Sequence, residues 1–191
     1  MKKYELTEET FTVFGKTLYR IRAVRDFGSV KTGEFGGYIE KEENLSHFGN
    51  AWIYGDAWVF GDARVFDNAW VYGNAKVYGD ARVSGNAWIY GDARVFGNAR
   101  VSGNARVYGN AEVFNTRHFF VQGPIGSRDG YVTFYRTKDD TVEVRCGCFS
   151  GSLQEFVNQV EETHGGSRYE KEYKLAAELA KVCIRLEGES R

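Results

Sequence analysis

Residues Gly49 to Phe114 read GNAWIY, GDAWVF, GDARVF, DNAWVY, GNAKVY, GDARVS, GNAWIY, GDARVF, GNARVS, GNARVY, GNAEVF. All eleven hexads carry Ala at the third place and Val or Ile at the fifth, and ten begin with Gly. Ala and Val lie two apart, so in a strand both side chains point to one face. The residue between them must point the other way. The Tyr/Phe–Gly–Asn/Asp run then makes a corner, because Gly, Asn and Asp tolerate positive φ better than other residues. A repeat this regular fixes an architecture before any other argument.

Three short strands and three corners close a coil of eighteen residues. That period makes columns of identical residues. Positions 52, 70 and 88 are Trp and 106 is Arg, while 64, 82 and 100 are Arg. Positions 54, 72, 90 and 108 are Tyr, 50, 68, 86 and 104 are Asn, and 56, 74, 92 and 110 alternate Asp with Asn. Coils stack about 4.8 Å apart. At that spacing Asn columns can form amide ladders, and alternating Asp with Asn avoids stacking like charges.

Outside the hexads the pattern weakens. Phe11 to Val24 reads as a β-hairpin turned at Gly15-Lys16, and residues 25–37 read as loop. Glu43 to Phe48 keeps the hexad length but not its residues, as expected of a terminal coil. His47 takes a frame position that normally points inward and is assigned to a cap. Residues 1–48 therefore read as an N-terminal β cap, 49–120 as a β-helix and 121–191 as a C-terminal module. In the module, 123–130 reads as a loop, and 131–137 with 141–149 as a hairpin turned by Lys138-Asp139-Asp140. Capping boxes at Ser152-x-x-Glu155 and Ser167-x-x-Glu170 open two helices. The expectation is a small ββαα, α+β domain.

Composition bounds the function. The net charge is −1, and Gly49–Phe114 balances five Arg and one Lys against five Asp and one Glu. A long nucleic acid needs a net basic stripe, so it is not an expected partner. No apolar run is long enough for a membrane span. The acidic start, Glu5 to Glu9, lacks the apolar stretch of a signal peptide, and three cysteines suit a reducing cytosol. A cytoplasmic protein is expected.

The Ala-x-Val/Ile hexads with small corner residues resemble the hexapeptide-repeat left-handed β-helix superfamily. The flanking Arg25-Asp26-Phe27-Gly28 and Gly36-Gly37-Tyr38-Ile39-Glu40-Lys41-Glu42-Glu43-Asn44-Leu45-Ser46 resemble an uncharacterised branch common in bacteriophages and prophages. The resemblance implies a left-handed, triangular β-helix, a homotrimer and the cytoplasm of a bacterial host.

That superfamily contains many acyltransferases with a catalytic His at a subunit interface. The eleven hexads contain no His. His118 falls in the outward Arg column and is weighed both as an exposed base and as an end-coil residue. Cys146-Gly147-Cys148 would place two thiols on one side of a strand. Zinc there would need His164 and Cys183 as further ligands, so buried apolar cysteines are the better reading, and no metal or cofactor is expected.

Trp52, Trp70 and Trp88 beside Tyr54, Tyr72 and Tyr90 form an apolar strip, read as the trimer interface or as a stacking platform for a ligand's rings. Arg64, Arg82 and Arg100 stack like charges, which calls for Asp62 and Asp80 as partners or for a bound anion. Ser127 and Arg128 in the glycine-flanked loop, with Arg145, could hold an anion on backbone amides. The expected function is a non-catalytic binding protein for a small anionic ligand, such as a host nucleotide signal, or for a host protein. A passive trimeric scaffold for the C-terminal module and an acyltransferase are the alternatives.

Overall fold

The computed structural model describes residues 2–186. Met1 and the last five residues of the expected C-terminal module lie outside them. Strands β1 (Tyr4–Val13) and β2 (Lys16–Ala23) form an antiparallel hairpin, and β3 (Phe35–Ile39) continues it. Eleven two-residue strands, β4 to β14, follow from Trp52–Ile53 to Glu112–Val113. Strands β15 (Phe119–Ile125), β16 (Gly130–Arg136), β17 (Val142–Cys146) and β18 (Phe149–Ser152) form an antiparallel sheet in that order. Helices α1 (Leu153–His164) and α2 (Arg168–Cys183) close the described chain. No described helix is long and apolar enough to cross a membrane.

The eighteen-residue period is the observed register. Trp52 pairs with Trp70, Trp70 with Trp88 and Trp88 with Arg106. Arg64 pairs with Arg82 and Arg82 with Arg100 on a second face. Trp58, Lys76, Arg94 and Glu112 line the third. Three parallel sheets thus form a solenoid of about four turns. Every hexad Ala and Val or Ile is buried, at most 1% exposed, so the interior is a uniform aliphatic column. Small residues suit it because three strands meet there at close range.

Corners obey the backbone rule that the sequence predicts. At Gly85, with φ of +66°, a Cβ would lie 2.9 Å from the Gly103 nitrogen one coil on. Asp67 takes the equivalent place with φ of +59°. Its carboxylate accepts the Gly85 N–H at 3.0 Å, which offsets the cost of a side chain there. Asn50 donates to Asn68, Asn68 to Asn86 and Asn86 to Asn104, at 3.1, 3.2 and 3.1 Å. Asn74 donates to Asp92 at 3.0 Å. The expected Asn ladder therefore forms along its whole column, and the Asp/Asn column carries one such link.

The N-terminal cap differs from the hexad frame. Leu45 pairs with Val65, twenty residues on, and β3 pairs with the Trp58–Val59 strand at the same offset. The corner after Leu45 therefore holds two extra residues, and Leu45 rather than His47 fills the inward place. His47 lies in the cap, stacked on Tyr4 with ring centres 4.3 Å apart. Asn44, fully buried, accepts from the Glu40 and Lys41 amides and donates to the carbonyls of Gly61 and Ala63. Its side chain completes the coil where the backbone leaves it. Gly36 and Gly37 are needed for close approach: a Cβ on Gly37 would sit 2.5 Å from the Ala57 carbonyl oxygen. Lys3 is buried and donates to the Ala51 carbonyl at 2.7 Å, satisfying an acceptor with no coil above it.

The C-terminal module has four strands and two helices, not two and two. The stretch read as a loop at 123–130 is strand up to Ile125, with a tight turn over 126–129. The Lys138-Asp139-Asp140 turn forms as expected, with Thr137 N–H donating to the Thr141 carbonyl. Both helices begin at the expected caps, Ser152 and Ser167. Tyr135 of β16 enters the solenoid core, and Thr133 accepts the Arg106 amide N–H at 3.0 Å. The sheet therefore plugs the open end of the solenoid.

Aromatic columns run down the solenoid. Tyr72 and Tyr90 stack at 4.9 Å and 4°, Trp70 and Trp88 at 5.4 Å and 5°, and Tyr78 and Phe96 at 4.9 Å and 3°. Each column ends under a guanidinium: Arg106 over Trp88 at 4.7 Å, Arg145 over Tyr108 at 5.4 Å and Arg136 over Phe114 at 5.0 Å. Two of these arginines belong to the C-terminal sheet, so the columns also dock it.

Candidate functional site

A cleft of about 950 Å³ opens where the C-terminal module meets the Trp-bearing face. The solenoid contributes Asn86, Trp88, Asn104 and Arg106. The β15–β16 turn contributes Ser127 and Arg128, and the module's sheet and helices add Tyr131, Cys146, Phe149, His164 and Tyr173, among others. Two arginines line the cleft and no Asp or Glu does. Neither Arg106 nor Arg128 takes part in an ion pair among the described residues. Such a wall favours an anion, because no internal carboxylate competes for the guanidinium donors.

The floor of the cleft is built by packing. Tyr173 is buried beside the Cys146 thiol. Burial, with the thiol beside it, pushes the Tyr173 phenol up to about 12. Burial also raises the Cys146 thiol. Both groups therefore stay protonated at neutral pH and add no negative charge to the cleft. His164 ends α1, its ring 5.6 Å from that of Tyr173 and 5.9 Å from that of Tyr169.

Of the ligand and interface residues expected from sequence, the cleft gathers Trp88, Ser127 and Arg128 and leaves the others elsewhere, while Cys146, Cys148 and His164, weighed only as zinc ligands, also line it. Trp52 is not on an outer face: Tyr4 and Phe27 cover it, with ring centres 6.1 and 5.2 Å away, and it is fully buried. Trp70, Tyr54, Tyr72 and Tyr90 are half-buried by their own stacking. The rings of Trp88 are not a stacking platform. Trp70 occupies one face and Arg106 the other, so a ligand meets the indole rim.

Arg145 turns from solvent onto Tyr108 and serves docking instead of lining the cleft. Gly126 lends its N–H to the Glu172 carboxylate at 2.7 Å, so that amide of the expected anion loop is already taken. Arg64, Arg82 and Arg100 are exposed and away from the cleft. Asp62 pairs with Lys41 at 2.7 Å instead of with Arg64, and Asp80 forms no ion pair among the described residues.

His118 is buried, not exposed, and its Nε2 lies 2.8 Å from the Asn115 amide nitrogen. Burial, reinforced by Arg136, lowers its pKa to about 4. The reason is that the chain leaves the coil frame here and β16 closes over it, the Arg136 N–H donating to the His118 carbonyl. Cys146 and Cys148 do not share a strand face. Gly147, with φ of +57°, begins a two-residue turn that leaves Cys148 exposed. Among the described residues no group of three His, Cys, Asp or Glu is placed to hold a metal ion.

Arg106, His164 and Tyr173 are cleft residues that were not expected to bind a ligand, and Asn104 was expected only as a member of its ladder. Arg106 did carry a signal, since it breaks the Trp column at its fourth place. Tyr173 carried none and His164 only as a possible zinc ligand, because only the docking of α1 and α2 brings them to the solenoid.

Comparison with curated proteins finds no match. A family model described as the YdcK beta solenoid repeat matches residues 75–91, 87–103 and 99–114. Those segments tile the later coils and touch neither the cap nor the module, so what the chain shares with that family is a β-solenoid repeat.

Proposed function

We propose that this is a non-catalytic binding protein whose cleft between solenoid and C-terminal module holds a small anionic ligand. The observation that carries this reading is the lining: Arg106 and Arg128 in a cleft of about 950 Å³ without a carboxylate. That volume lies in the range of small-molecule sites. The resemblance of the flanking motifs to a phage and prophage branch supports a role in holding a host nucleotide signal. The same resemblance supports a homotrimer, with the half-exposed Trp70 and corner tyrosines as contact residues. Isothermal titration of the full chain against a panel of nucleotides tests the reading. Binding that Arg128→Glu weakens is the expected result, and no heat with any member of the panel overturns it. Light scattering tests the assembly, and a monomeric mass rules the trimer out.

A further inference from the structure

The Asn50–Asn68–Asn86–Asn104 ladder has a direction. At each step the Nδ2 of one residue donates to the Oδ1 of the residue eighteen positions on. The neighbouring Asn74–Asp92 pair runs the same way, and there chemistry fixes the direction, because a carboxylate can only accept. Asn104 is last. Its Oδ1 receives the Asn86 donor, while its own Nδ2 donates to no group among the described residues. Amides linked in series polarise one another, which strengthens the donor at the free end.

That free end lies in the cleft beside Arg106. Ala105 between them is buried, so Asn104 and Arg106 both belong to the outer surface. The Arg106 guanidinium is already placed on the Trp88 ring, which limits the ordering it must undergo on binding. Arg128 and Ser127 stand on the module side, and Tyr131, Phe149, Phe156 and Val160 supply an apolar wall.

We infer that Asn104 and Arg106 seat the phosphoryl group of a phosphomonoester, with Arg128 as its second cation. This rests on the reading of the cleft as an anion site and names its ligand class. A phosphate monoester carries a charge of about −1.5 to −2 near neutral pH, which two arginines balance, and its oxygens accept both amide and guanidinium donors. The apolar wall takes the body of the molecule.

Titration of the full chain with adenosine 5′-monophosphate, phenyl phosphate and adenosine tests this. Both phosphates are expected to bind and adenosine is not. Asn104→Asp is the informative variant. Its carboxylate can accept from Asn86 as Asp92 accepts from Asn74, so the ladder survives while the free donor is lost and a negative charge enters. Asn104→Asp and Arg106→Ala are each expected to weaken phosphate binding about tenfold or more. Parent-like affinity in Asn104→Asp, with loss in Arg106→Ala, overturns the role of Asn104 and leaves the cleft reading standing. Adenosine binding as tightly as its monophosphate overturns the phosphoryl assignment. No binding by any of the three at the parent cleft counts against this inference, and silence across the wider nucleotide panel removes the cleft reading beneath it. If Asn104→Asp does not fold, Asn104→Ser removes the amide without adding charge, and parent-like affinity in it is equally fatal.

Discussion

The guanidinium of Arg145 lies 5.4 Å from the centre of the Tyr108 ring, at the end of a column of stacked tyrosines. A residue of the C-terminal sheet thus continues a side-chain column begun in the solenoid. Cation–π contacts contribute about 0.5–2 kcal/mol depending on desolvation, so Arg145→Ala is expected to loosen the module without unfolding the coils. Hydrogen exchange checks this: faster exchange confined to residues of β16 to β18, with the hexad amides unchanged.

The Arg64–Arg82–Arg100 column stacks three exposed like charges with no ion pair among the described residues. Arg82→Glu converts two repulsive neighbours into attractive ones. Stability is expected to rise by about 0.5–1 kcal/mol at low salt and the gain to shrink in high salt. Denaturant unfolding at two ionic strengths measures it.

Asn44 bridges the cap to the first regular coil with four hydrogen bonds. Asn44→Ala strands buried backbone groups and is expected to cost about 3 kcal/mol. Asn68→Ala, in the exposed ladder, is expected to cost about 1 kcal/mol because water replaces the lost partner. The ratio of the two losses in urea melts is the readout.

The buried imidazole of His118 sets the acid limb of stability. Its folded pKa of about 4 lies below the unfolded value of 6.5. The unfolded chain therefore binds a proton that the folded chain refuses between those values. His118 lowers stability as pH falls from about 6.5 to about 4, and has no further effect above that window. Replacing it with Gln should flatten this part of the profile of unfolding free energy against pH.

Lys3 sets an alkaline contribution of the opposite sense. Burial, with Arg25 nearby, lowers its pKa to about 8 from 10.5. Stability is expected to rise as pH passes from about 8 towards 10.5, because the unfolded chain then holds the extra proton. Burial raises the Tyr4 phenol, so stability falls again above pH 10. Lys3→Met should abolish the rise.

The solenoid was legible because each hexad residue answers to its nearest neighbours and to the coil above, all at fixed sequence distance. Register, buried Ala and Val, and amide ladders follow from that alone. The cleft was not legible, because it joins Trp88 and Arg106 to Arg128 and Tyr173 through a docking that no period encodes. Trp52 shows the limit within the repeat itself. It is identical in type to Trp70, yet Tyr4 and Phe27 bury it because it is the first of its column. His118, weighed as exposed or as an end-coil residue, is buried for the complementary reason: the column that contains it ends one coil earlier.

The eighteen-residue register also sets which length changes the gene can tolerate. Loss of residues 55–72 rejoins Tyr54 to Gly73, a junction chemically the same as the original Tyr54–Gly55, and returns every downstream column to its own face. The ends simply approach by one strand spacing, about 4.8 Å. Loss of a single upstream hexad instead turns the later coils and the C-terminal sheet together by a third of a revolution, so Arg106 still meets Arg128 but each later column stacks on a different column of the earlier coils. Steps of three hexads therefore keep every side-chain column continuous, and unequal recombination between the near-identical hexads preserves the ladders only at those steps.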